Sequence, residues 1–167
     1  TLFRSPYGVI LVEPTPTSLE NAYSFLKNLM VRHLMRVFYA DKEIKDYIAA
    51  ATDPRDPSRM LQFNELLERL SSMNPEKTTQ YKQQFDETVH GTYLVVNAVR
   101  TPQQFGLSDK FVRIIKRYLT LDMKVLGGLP FEDRMDEAIT ARTPFVVRYP
   151  QSGYARGLEH IAGNLKL

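Results

Sequence analysis

Asn97 closes an apolar run, Tyr93-Leu94-Val95-Val96, and a side-chain amide in that place offers two donors and an acceptor at once. That is the chemistry that reads the edge of a planar base. Spacing alone favours a plainer role, in which Asn97 turns the chain by bonding its own backbone. Leu129-Pro130-Phe131-Glu132-Asp133 presents a similar choice. The proline and the aromatic could flank a planar ring at a strand end. Turn chemistry, with Asp133 capping the helix that follows, would also account for the motif and is the simpler reading.

Glu13, Glu132 and Asp133 are acids near strand ends. Acid–base work or magnesium binding would need a histidine partner or a closer grouping than they have. Lys110, Arg113, Lys116 and Arg117 are read as one helix face. A solvated face is the simpler account of them, and docking to anionic lipid or nucleic acid the other.

Other chemistries are excluded by what the sequence lacks. Zero Cys removes disulfides, thiolate metal ligation and thiol catalysis. His33, His90 and His160 are dispersed, which speaks against a His-rich metal site. There is no G-x-x-x-x-G-K-[ST], G-x-G-x-x-G or G-x-S-x-G, and Gly127-Gly128 is too short to cradle phosphates. No nucleophile stands beside a base, so no catalytic residue and no metal ligand is assigned.

The elements that must position these residues follow from hydrophobic periodicity. Gly8-Val9-Ile10-Leu11-Val12 is a continuous apolar run, the pattern of a strand buried on both faces in a parallel sheet. Two prolines in Glu13-Pro14-Thr15-Pro16-Thr17 argue against an early helix. From Leu19 to Val37 apolar residues recur at helical steps, with Ser18 or Thr17 as N-cap and Glu20 in the first turn. Residues 41–51, 58–73 and 75–89 read as three helices, the first two amphipathic and the third a mostly polar cover. Pro57 and Pro75 lie at helix starts. This block, residues 41–90, carries no strand signal and reads as a helical insertion or lid.

Strands resume at Tyr93-Leu94-Val95-Val96-Asn97 and at residues 123–130. An amphipathic helix follows Thr101-Pro102, with Phe111, Val112, Ile115, Tyr118 and Leu119 inward. Residues 133–142 read as helix, Phe145-Val146-Val147 as a short extended piece, and Ser152 as the cap of a last helix. The alternation predicts an α/β domain over residues 1–167: a partial, doubly wound, mostly parallel sheet flanked by helices. Ligands of such sheets bind outside the carboxyl ends of the strands, where Asn97 and Pro130 fall.

Composition adds little. The 167 residues are 43% hydrophobic, with 22 Lys+Arg against 19 Asp+Glu and a formal net charge of +3. One ordinary core is expected, and intrinsic disorder is not. No apolar run reaches the ~18 residues of a membrane span, which sets the cytoplasm as default location. The bases are interleaved with acids, which argues against a nucleic-acid partner.

Four stretches carry a likeness. Val12-Glu13-Pro14-Thr15-Pro16-Thr17-Ser18-Leu19-Glu20-Asn21-Ala22-Tyr23 resembles the segment after the Walker B strand in MinD/ParA-type P-loop ATPases. The MinD-like branch that includes the flagellar-number regulator FlhG is the nearest in kind. Leu94-Val95-Val96-Asn97-Ala98-Val99-Arg100 resembles their later strand. Leu126-Gly127-Gly128-Leu129-Pro130-Phe131-Glu132-Asp133 with Glu137-Ala138, and then Pro144-Phe145-Val146, Tyr149-Pro150 and Ser152, are similar to their closing motifs.

The resemblance implies the C-terminal half of a doubly wound ATPase that dimerises around ATP and magnesium. Such proteins position cellular machinery, flagella or a division site. Asn97 and the Pro130-Phe131 backbone would form the adenine pocket, with Arg100 and Glu132 nearby. The family's phosphate loop, signature lysine and switch aspartates precede this stretch and are not in these 167 residues. This half alone is therefore expected not to hydrolyse ATP. The helical block from Asp41 is longer than in MinD itself, and the helices of residues 41–89 are expected to face a protein partner. The closing residues Asn164-Leu165-Lys166-Leu167 carry no further amphipathic stretch, so membrane binding is not expected. The alternative is a non-catalytic interaction module on a degenerate scaffold of the same kind.

Overall fold

The computed structural model describes residues 7–56, 58–88 and 91–165. Pro57, Val89, His90, Lys166 and Leu167, each used in the sequence reading, lie outside them. Three strands, β1 (Tyr7–Val12), β2 (Gly91–Val99) and β3 (Met123–Pro130), form one parallel sheet in the order β1-β2-β3. Ile10 pairs with Leu94, and Leu94 with Val125. An α/β fold with a parallel sheet is therefore what the chain adopts.

Alternation along the strands sorts the side chains into two layers. Ile10, Val12, Leu94, Val96 and Met123 join the larger core. Val95, Leu126 and Leu129 face the other way and pack with Ile161. β2 is thus buried on both sides, as its apolar run predicted. β1 is not: Ile10 and Val12 are buried, but Val9 is 44% and Leu11 60% exposed. The reason is coverage, because the helix on that side, α9 (Gly153–Asn164), lies over β3.

The first crossover carries α1 (Pro16–Val37), α2 (Lys42–Thr52), α3 (Phe63–Met73) and α4 (Pro75–Thr88). α1 begins earlier than its periodicity suggested. Pro16 occupies the first turn, where no intrahelical N–H bond is lost, and the Thr15 hydroxyl accepts from the Ser18 N–H at 3.3 Å. Neither Ser18 nor Thr17 is the cap, and Glu20 falls beyond the first turn. Ser18 instead accepts from the Glu13 N–H at 3.0 Å and secures the end of β1.

α2 is capped by Asp41, which accepts from the Ile44 N–H at 3.1 Å. α3 starts at Phe63 rather than residue 58. The chain before it is held in turns: the Asp53 carboxylate accepts from the Arg55 N–H at 2.9 Å, and Leu61 N–H reaches the Ala51 carbonyl at 2.9 Å. α4 is more than a polar cover, since Thr78, Tyr81 and Phe85 are buried. Ile44, Ile48, Phe63, Leu66, Leu70 and Tyr81 share one core with Ile10 and Leu94.

β2 leads through a single turn, α5 (Pro102–Phe105), into α6 (Leu107–Leu119), with Phe111, Ile115 and Leu119 buried and Tyr118 at the margin. After β3 come α7 (Met135–Thr140), α8 (Phe145–Arg148) and α9. α7 is shorter than expected, and Arg134, not Asp133, holds its N-cap position. Phe145-Val146-Val147 is a helical turn rather than extended: Pro144 precedes it and the Tyr149 N–H closes on the Phe145 carbonyl at 2.8 Å. Ser152 caps α9 as expected, accepting from the Ala155 N–H at 3.0 Å. Among the described residues no helix is long and apolar enough to cross a membrane.

Candidate site at the carboxyl ends of the strands

β2 does not end at Asn97 but continues to Val99, and the pairing with β3 shifts between Val96 and Val99. That irregularity places Asn97 and Ala98 in a bulge. Ala98 takes the left-handed conformation, φ 55°, which a residue with a Cβ adopts only under constraint from its neighbours. Asn97 is half-buried, and among the described residues its amide bonds neither its own backbone nor another side chain. The simple turn-making role is not what the structure shows. A half-buried amide with both functions open is instead a group able to pair with a ligand edge.

The two strand ends are tied together just beyond it. The Phe131 N–H donates to the Val99 carbonyl at 2.9 Å, which fixes Pro130-Phe131 against the end of β2. Arg100 is held from the other side by Gln104, whose Oε1 accepts from the Arg100 N–H at 2.7 Å and the Thr101 N–H at 3.2 Å. In that position the Arg100 guanidinium carbon sits 3.4 Å from the Phe131 ring centroid. The pair is solvent-exposed and makes a flat, cationic platform.

Glu132 is engaged elsewhere. Its two oxygens accept from Arg134 Nε and Nη2, each at 2.8 Å. Hydrogen bonding to Arg134 holds the Glu132 carboxyl below its usual range and raises the Arg134 guanidinium in turn. Arg134 also lies 4.5 Å over the Tyr149 ring, and the Tyr149 hydroxyl donates to Glu137. The loop after β3 is thereby braced by α7 and the turn before α9.

Of the five residues predicted to contact a nucleotide, Arg100, Pro130 and Phe131 are drawn together at the two strand ends. Asn97 stands in the bulge just before them, and Glu132 is occupied by Arg134. Sequence reasoning missed Gln104 and the Arg134–Tyr149–Glu137 brace. The first had a signal, since Thr101-Pro102-Gln103-Gln104 has the pattern of a capping box. The brace joins distant residues and had none. The residues present suit a planar, polar ring. Among the described residues no three His, Asp or Glu side chains cluster to hold a metal ion.

Lys110, Arg113, Lys116 and Arg117 line one hollow along α6, as one helix face would. Lys116 pairs with Asp122 at 2.7 Å, while Lys110 lines a groove between α1 and α6. No protein-family model matches the chain, and comparison with curated proteins finds no match.

Proposed function

We propose that the chain is the base-binding portion of an ATP-dependent switch ATPase of the MinD/ParA kind, which positions cellular machinery through nucleotide-controlled dimerisation. The observation that carries this reading is the open amide of Asn97, set in a bulge at the carboxyl end of a parallel sheet. Beside it, strand ends bonded at Val99 and Phe131 hold the Arg100–Phe131 platform. Ligands of open parallel sheets bind at this edge. In this reading Asn97 donates to and accepts from the adenine edge, and the Pro130-Phe131 backbone borders the ring. Glu132 keeps the loop in place through Arg134 rather than touching the base. ATP with magnesium supplies the phosphate chemistry, and the groups that hold those phosphates belong to the half that the resemblance places before this stretch.

The state of β1 supports the same reading. Parallel sheets are normally covered on both faces, yet Val9 and Leu11 are exposed and β1 is an edge strand. A further strand and helix added there would complete the sheet.

The test is nucleotide titration of the full-length protein by calorimetry. ATP should bind more tightly than GTP, and Asn97→Ala should weaken ATP by about tenfold, the worth of one or two hydrogen bonds, at nearly unchanged Tm. Equal affinity for ATP and GTP in the unmutated protein would sink the assignment.

A further inference from the structure

Independently of the nucleotide reading, we propose that a hollow between α1, α3 and α4 binds an α-amino acid with an apolar side chain. The hollow measures about 440 Å³, within the roughly 300–1,000 Å³ typical of small-molecule sites. Thr120, which closes α6 just ahead of β3, borders it, whereas Asn97 lies toward the carboxyl end of β2. The two sites are thus at opposite ends of the sheet. Three elements supply an apolar floor: Met30 of α1, Leu67 of α3, and Tyr81 and Phe85 of α4, all buried. The Tyr81 and Phe85 rings stack with centroids 5.9 Å apart, a flat bed for an apolar side chain.

The polar groups of the hollow select the ligand. Asn64 lines it, and the Asn64 Oδ1 is buried with no hydrogen-bond donor among the described residues. An acceptor withdrawn from water and left unmet is costly. A ligand N–H supplies the missing donor once the amide turns toward the hollow. Glu68 on α3 and Lys82 on α4 belong to the same lining, and both are exposed. Neither makes an ion pair among the described residues, so each charge is open to a counter-charge from outside. An ammonium for Glu68 and Asn64, a carboxylate for Lys82 and an apolar body for the floor satisfy every group. Other ligand classes leave one of them unmet. A phosphate ester would find a single lysine, with the Glu68 carboxylate in the same hollow. A fatty acid would bring no donor to Glu68 or Asn64, and a hydrocarbon would answer neither charge.

The probe is L-phenylalanine, titrated into the protein by calorimetry. Phenethylamine and 3-phenylpropionate keep its ring and lack one charge each, and L-serine keeps both charges and lacks the ring. L-Phenylalanine should bind saturably, and each of the other three at least tenfold more weakly. Lys82→Gln should weaken L-phenylalanine about tenfold and leave phenethylamine unchanged, while Glu68→Gln should weaken L-phenylalanine and spare 3-phenylpropionate. Both positions are exposed, so both variants should keep the parent Tm. No saturable heat up to ~10 mM L-phenylalanine would overturn the proposal. So would 3-phenylpropionate binding as tightly as the amino acid, or an affinity that neither charge variant moves.

Discussion

The Arg100 guanidinium lies 3.4 Å from the centroid of the Phe131 ring, so the residue that follows β2 is stacked on the residue that follows β3. The contact locks two strand ends that also share the Phe131–Val99 hydrogen bond. An exposed cation–π pair of this kind contributes about 0.5–1 kcal/mol. A double-mutant cycle with Arg100→Ala and Phe131→Leu, read by urea unfolding, should return a coupling energy of that size. Additive single effects would show that the stack contributes nothing.

The fork between Glu132 and Arg134 should leave an acid signature. Hydrogen bonding to Arg134 lowers the Glu132 carboxyl below its ordinary 4.5 in the folded state. A depressed carboxylate contributes stability that is present above the unfolded value and is lost as pH falls through the folded one. The unfolding midpoint should therefore decline below about pH 4.5. Glu132→Gln keeps the shape but cannot titrate, so its profile should be flatter in that window. Parallel profiles for the two proteins would rule the effect out.

The strands were legible because their apolar runs are short and bounded, and the last helix because Ser152 carries unambiguous cap chemistry. The failures have separate physical causes. Pro16 reads as a breaker, yet the first turn of a helix needs no N–H there. Met60 and Leu61 extend the periodicity of α3 backwards, but side-chain and backbone bonds at Asp53 and Ala51 hold that stretch in turns. Val146 and Val147 favour extended backbone by type, and the Tyr149–Phe145 bond overrides that preference. At the candidate site, Asn97, Pro130 and Phe131 were visible as strand-end residues. The bulge was not, because Ala98 carries no glycine-like signal for its left-handed backbone. The Arg100–Phe131 stack depends on β2 and β3 being neighbours, which only the assembled sheet reveals.

The helices of residues 42–88 bury their apolar faces in the same core as β1 and β2. Truncating one of them should destabilise the sheet with it. Leu70 is 0% exposed in α3, and Leu70→Ala should cost about 2–5 kcal/mol through lost burial and a residual cavity. Thermal unfolding should remain a single transition at lower Tm, and hydrogen exchange at the Leu94 and Val96 amides should accelerate along with that of α3. Two transitions, with the strand amides still protected after α3 opens, would show that the block folds separately.

His33 should make the same core sensitive to mild acid. It lies against Tyr81, with ring centroids 5.3 Å apart, and Phe85, at 6.2 Å. Burial first, and the nearby Arg36 charge second, lower its folded-state pKa below the ordinary 6.5. The unfolded chain therefore takes up the proton at higher pH than the folded one. Stability from the neutral ring is complete above 6.5 and declines as pH falls below it, until the folded form is itself protonated. His33→Phe keeps an aromatic ring at the position and removes the titration. Urea midpoints measured between about pH 7.5 and 5 should fall for the parent protein and fall less for the variant, the difference opening below pH 6.5. A variant that loses stability over that interval as steeply as its parent would place the acid sensitivity at another residue.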